Sequence, residues 1–91
     1  RYDAVLSRLR TSGANLRCSE VKALLEELGF EVHDGSKGNH KTFTHDGIPD
    51  FVGGNYDCGH GRNPELLRGY VSRIKRTLEK YESEIREHLG E

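Results

Sequence analysis

Apolar residues in the first eleven positions recur at spacings of three and four. Tyr2, Val5, Leu6 and Leu9 fall on one side of a helical turn and arginines occupy the rest, so residues 1–11 read as an amphipathic helix. Thr11-Ser12-Gly13-Ala14-Asn15 ends it as a short linker. The next stripe is fuller: Val21, Leu24, Leu25 and Leu28 stand at i, i+3, i+4 and i+7. Ser19 is placed to cap its N-terminus, and Glu20 complements the positive end of the helix dipole. Gly29 sits where a left-handed C-terminal residue is wanted, and Phe30 follows to pack back on the last turn. The pattern predicts a helix over 19–29.

From Phe30 the period changes to two. Phe30-Glu31-Val32-His33 alternates as a half-buried strand does. Residues 34–39 carry two glycines and an asparagine and form a turn, and residues 40–45 form a second strand with Phe43 inward. By parity Lys41 and His45 share the side of Phe43, while His40, Thr42 and Thr44 point the other way. Asp46-Gly47 signals a two-residue turn. Residues 48–52 then read as the third strand, with Pro49 at its start or edge. Residues 53–61 hold four glycines and read as a flexible loop. Asn63 and Pro64 take N-cap and first-turn roles for a long helix reaching about Leu89. Its apolar positions Leu67, Val71, Ile74, Leu78, Tyr81 and Ile85 alternate four and three, a heptad seam. The order α-α-β-β-β-α gives an α+β fold, a three-stranded antiparallel sheet with helices over one face.

The 91 residues suit a single small domain (1–91), and with 33% hydrophobic residues its core must be compact. No run of about 18 apolar residues is present to cross a bilayer. The chain opens at Arg1 with neither Met nor an apolar leader, and the expected location is the cytoplasm. Cys18 and Cys58 are the only cysteines, too few for a disulfide framework, so two reduced thiols are expected. A net charge of −1 argues against nucleic acid as a partner, but the distribution reverses that. Between residues 62 and 80 stand Arg62, Arg68, Arg73, Lys75, Arg76 and Lys80 against only Glu65 and Glu79. Cations clustered on one face bind a polyanion whatever the sum; the alternative is a mixed, solvated helix surface.

The chemistry concentrates in residues 35–45. His40 follows a glycine-broken turn at the mouth of a strand, held by regular structure yet open to solvent, which suits proton transfer. Lys37 and Lys41 beside it favour an anionic ligand such as a phosphodiester. A plain surface histidine in a polar hairpin is the alternative. His33, His40, His45, Cys58 and His60 are metal-capable, but their spacing fits no closed four-ligand set, and no metal is expected.

In order and spacing these segments resemble the HicA family of toxin ribonucleases from bacterial toxin–antitoxin pairs. The matching pieces are Ser19-Glu20-Val21 through Leu28-Gly29-Phe30, the turn Lys37-Gly38-Asn39-His40, the segment Phe43-Thr44-His45-Asp46-Gly47, and Arg62 to Ile74 as the closing helix. The resemblance covers roughly residues 17–75, leaving the helix of 1–11 and the extension 76–90 as additions. It implies a double-stranded-RNA-binding-like core, endoribonuclease activity on mRNA without a cofactor, and a HicB-type antitoxin as partner. The family's essential histidine falls on His40. His45 is a looser candidate for a second proton carrier, and Lys41 or Lys37 would stabilise phosphoryl charge. Lys37, Asn39, Arg62, Arg68 and Lys75 are the candidate RNA contacts. The other function class is a non-catalytic RNA-binding or protein-interaction module of the same fold. The apolar stripes of the two additions call either for packing on each other or for a homodimer seam.

Overall fold

A computed structural model describes residues 1–11 and 15–91. Seven elements follow in order: α1 (Tyr2–Thr11), α2 (Cys18–Glu27), β1 (Glu31–Asp34), β2 (His40–Thr44), β3 (Gly54–Asp57), α3 (Tyr70–Lys80) and α4 (Glu82–Leu89). The strands form an antiparallel sheet in the order β1-β2-β3. Val32 pairs with Phe43 across the first ladder, and Lys41 with Tyr56 across the second. Phe43 and Tyr56 are buried under the helices. His33, Thr42 and Asn55, at alternate positions, make the other face polar. The fold is α+β with an α-β-β-β-α core of the double-stranded-RNA-binding kind.

Helix α2 starts one residue before the sequence suggests. Ser19 lies inside its first turn, and the main-chain N–H of Arg17 is taken by the Glu20 carboxylate at 3.4 Å. Its C-terminus closes as expected: Gly29 has φ +91°, and the N–H groups of Gly29 and Phe30 bond Glu26 O and Leu25 O. The linker expected at 11–15 has its centre, 12–14, outside the described residues.

Three expectations fail beyond β2. Residues 48–52 are not a strand. They form successive turns in which Ile48 N–H reaches His45 O and Phe51 N–H reaches Ile48 O. Ile48 and Phe51 therefore point inward three residues apart, and Val52 is 96% exposed. The third strand lies inside the glycine-rich stretch read as a loop. Gly54 occurs there because the Phe43 ring covers it, and a Cβ at that position would clash with the ring. The final helix begins at Tyr70, not Asn63. Asn63 has φ +48°, and residues 64–67 run as a strap between two neighbours. Pro64 O accepts Cys18 N–H, Leu66 N–H bonds Leu16 O, and Leu67 N–H bonds Asp57 O. Tyr81 then breaks the seam into α3 and α4.

The strap also overturns the expectation of two thiols. Cys18 at the start of α2 and Cys58 just after β3 are joined as a disulfide, with Cα atoms 6.1 Å apart, inside the span such a bond bridges. Separation along the sequence hid a pair that strap and strand bring together. The outer helices pack within the chain, α1 against α3 and α4. Tyr2 donates to Leu78 O at 3.1 Å, and Arg86 stacks on the Tyr2 ring while bonding Asp3 and Glu82. Their apolar stripes are buried without a second copy of the chain.

Candidate functional site

His40 opens β2 and pairs with Asp57, the last residue of β3. Both point to the polar face, as strand parity requires of residues one step out of phase with Phe43 and Tyr56. Their side chains meet: His40 Nδ1 donates to Asp57 Oδ1 at 2.5 Å. Tyr70, at the start of α3, donates its hydroxyl to the other oxygen, Oδ2, at 3.0 Å. The His40 hydrogen bond is the main reason the Asp57 carboxyl is held below the usual aspartate range, with the Tyr70 bond and the charge of Arg73 acting in the same direction. The Arg73 guanidinium lies over the Tyr70 ring, 4.9 Å from its centre. Gly35 leaves room for the imidazole, since a Cβ there would come within 2.7 Å of His40 Cδ2. With Nδ1 committed to a carboxylate, Nε2 is the nitrogen available to a substrate, and half-burial leaves it accessible.

The other predicted site residues separate into different places. His45 is 5% exposed and belongs to the core. Gly47 N–H donates to its Nδ1 at 3.0 Å, so the proton sits on Nε2, which donates to Leu28 O at 2.9 Å. Both nitrogens are thus used in joining β2 to the end of α2, and the ring packs edge-on against Phe30 and His88. Lys41 lies on the helix-covered face, where its ammonium bonds Asp34 Oδ1 at 2.6 Å and Gly38 O at 3.1 Å. That bond holds the Asp34 carboxyl below its usual range. Lys37 is exposed in the β1–β2 turn, where its carbonyl accepts His40 N–H, and Asn39 O accepts Cys58 N–H. Arg62 is exposed in the loop before the strap. Arg68 and Lys75 line a groove with Leu66, Leu67 and Arg10, apart from His40. Arg73 is a cation whose charge acts on Asp57, and charge counting included it but did not single it out.

Asp57 and Tyr70 were not foreseen as site residues, and Arg73 was foreseen only as one of the clustered cations of residues 62–80. Asp57 was concealed by the assignment of 53–61 to a loop. Read as a strand, Asn55-Tyr56-Asp57 alternates out-in-out and places the carboxylate beside His40. Of the metal-capable side chains, Cys58 is tied up in the disulfide. Among the described residues no three His, Cys, Asp or Glu side chains gather as a metal site.

A family model described as HicA toxin of bacterial toxin-antitoxin matches residues 18–80. The chain belongs to that family. No curated protein and no solved structure matches it. As a HicA-family toxin it is the toxin half of a toxin–antitoxin pair. The matched stretch runs from the first residue of α2 to the last of α3. It contains His40, Asp57, Tyr70 and Arg73, whereas α1 and α4 are additions. Among the described residues no helix is long and apolar enough to cross a membrane.

Proposed function

We propose that this HicA-family chain is an endoribonuclease that cleaves mRNA at the polar face of its sheet, with His40 as the proton carrier. The observation that supports it most is the His40–Asp57–Tyr70 chain of hydrogen bonds, which fixes one imidazole nitrogen and leaves the other for substrate. His40 Nε2 takes the proton from a ribose 2′-hydroxyl as that oxygen bonds to the adjacent phosphorus. The bond from phosphorus to the 5′-oxygen breaks, and that oxygen leaves with a proton from solvent. The products are a 2′,3′-cyclic phosphate and a free 5′-hydroxyl. The negative Asp57 stabilises the imidazolium that forms, and Arg73 faces the charge that grows on the phosphoryl oxygens. Lys37, Asn39 and Arg62 would guide the RNA strand at the same end of the sheet, with Arg68 and Lys75 contributing at longer range.

The partner in this reading is a HicB-type antitoxin that covers the His40 face. The place of action is the cytoplasm, where mRNA is. There the Cys18–Cys58 disulfide meets a reducing thiol pool, so its redox state is a variable that each assay must hold fixed.

End-group analysis of RNA digested in EDTA tests the chemistry. The account expects 2′,3′-cyclic phosphate and 5′-hydroxyl termini from the wild type and none from His40→Ala. Termini bearing 5′-phosphate would contradict it, because those require attack by water and not by the ribose.

A further inference from the structure

One rung inward from His40 and Asp57, the paired residues Lys41 and Tyr56 face the opposite side of the sheet. A cavity of about 640 Å³ opens there, between the first turn of α2, the β1–β2 turn and residues 59–64. Its size is that of a small-ligand pocket. Tyr56 lines it. The residue is 1% exposed, yet its hydroxyl has no hydrogen-bond partner among the described residues. Among the described residues no fully buried side-chain polar atom lacks a partner, so this hydroxyl reaches solvent through the cavity, where an acceptor brought by a ligand can take the place of water. Burial, with the carboxylates of Glu26 and Asp34 nearby, pushes this phenol up to about 12, so it remains a donor at neutral pH.

The walls add charge. Lys41 and Asp34 neutralise each other, whereas Lys22 makes no ion pair among the described residues. At the start of α2, Cys18 N–H is taken by Pro64 O and Glu20 N–H by Arg17 O. The N–H of Ser19, in the same first turn, has no hydrogen-bond partner among the described residues.

We propose that this cavity is a subsite for one ribonucleotide of the RNA. A carbonyl oxygen or ring nitrogen of the base accepts from Tyr56 Oη, and the phosphate lies against Lys22 and the Ser19 N–H. The proposal rests on the ribonuclease reading. The RNA strand would pass over the end of the sheet at Gly38 and Asn39, with one nucleotide held on the helix side and the neighbouring linkage presented to His40.

The test is a calorimetric and amide-NMR titration of the full, disulfide-bonded chain with each nucleoside 3′-monophosphate and, separately, with inorganic phosphate. At least one nucleotide should bind saturably and shift the Ser19 and Tyr56 amides. Tyr56→Phe should weaken that nucleotide by about fivefold to tenfold, as the loss of one hydrogen bond does. It should leave inorganic phosphate unchanged and melt no lower than the wild type, because the lost hydroxyl had no partner. Lys22→Ala should weaken nucleotide and phosphate alike. Equal nucleotide affinity in wild type and Tyr56→Phe, no saturable binding, or a lower melting temperature for Tyr56→Phe would each overturn the subsite. His40→Ala keeps the cavity intact and should bind nucleotide as the wild type does. Tyr56-dependent binding in a chain that cleaves nothing would sink the ribonuclease reading and leave the subsite standing.

Discussion

A histidine that moves protons needs one ring nitrogen fixed and the other free, and a histidine that holds a fold together has both engaged. His40 has one nitrogen bonded and the other open, the arrangement its proposed role needs, and His45, five positions on, has both engaged. The Asp57 carboxyl beside His40 is depressed below the ordinary aspartate value of 3.8, chiefly by the imidazole. A depressed carboxylate contributes stability that is present above the ordinary value and fades as pH falls through the lower folded one. Carbon-detected NMR titration should therefore place the Asp57 midpoint below 3.8 in the wild type and move it upward in His40→Ala; an unchanged midpoint would mean the two side chains are not bonded. His45→Ala should leave Leu28 O unsatisfied in the core, remove the bond to Gly47 N–H and the packing of the ring, and destabilise the chain by about 2–4 kcal/mol in urea unfolding. A cost near zero would contradict the buried, doubly bonded ring.

At the scale of elements, the parts that stood out in the sequence were those with a complete local signal. The α2 stripe with Gly29-Phe30 and the alternating β1 and β2 segments needed no knowledge of distant residues. What stayed hidden depended on tertiary contacts. Gly54 reads as loop until Phe43 is seen to lie on it, and Asn63-Pro64 reads as a helix start until Pro64 O is seen to hold Cys18 N–H. The same strap explains why the cysteines looked independent. Cys18 and Cys58 are 40 residues apart, and closing a loop of that length contributes about 4 kcal/mol in the chain-entropy account. Denaturation with and without reductant, or of Cys18→Ser/Cys58→Ser, should show a loss of that order. Equal midpoints would indicate that the bond adds nothing to stability.

Over the whole molecule, the family-matched core holds the proposed site, and the two additional helices close over its flank. The Tyr2–Leu78 and Arg86–Asp3 contacts account for apolar stripes that in isolation suggested a dimer. Net charge says little about partners here, because placement decides: Arg73 stands at the His40–Asp57 pair, while Arg10 and Arg8 are occupied by Glu79 and Glu20. Sequence could propose His40, but not the carboxylate bonded to it, since strand pairing alone brings Asp57 alongside. The central claim is that His40 makes and breaks bonds and does not merely hold RNA. The measurement that addresses it most directly pairs single-turnover cleavage with equilibrium RNA binding, for oxidised wild type and His40→Gln in EDTA. The account predicts that cleavage falls by about 100-fold or more while RNA affinity stays within about twofold, the signature of lost proton transfer. Undiminished cleavage by His40→Gln, or tight binding by both proteins with cleavage by neither, would contradict it.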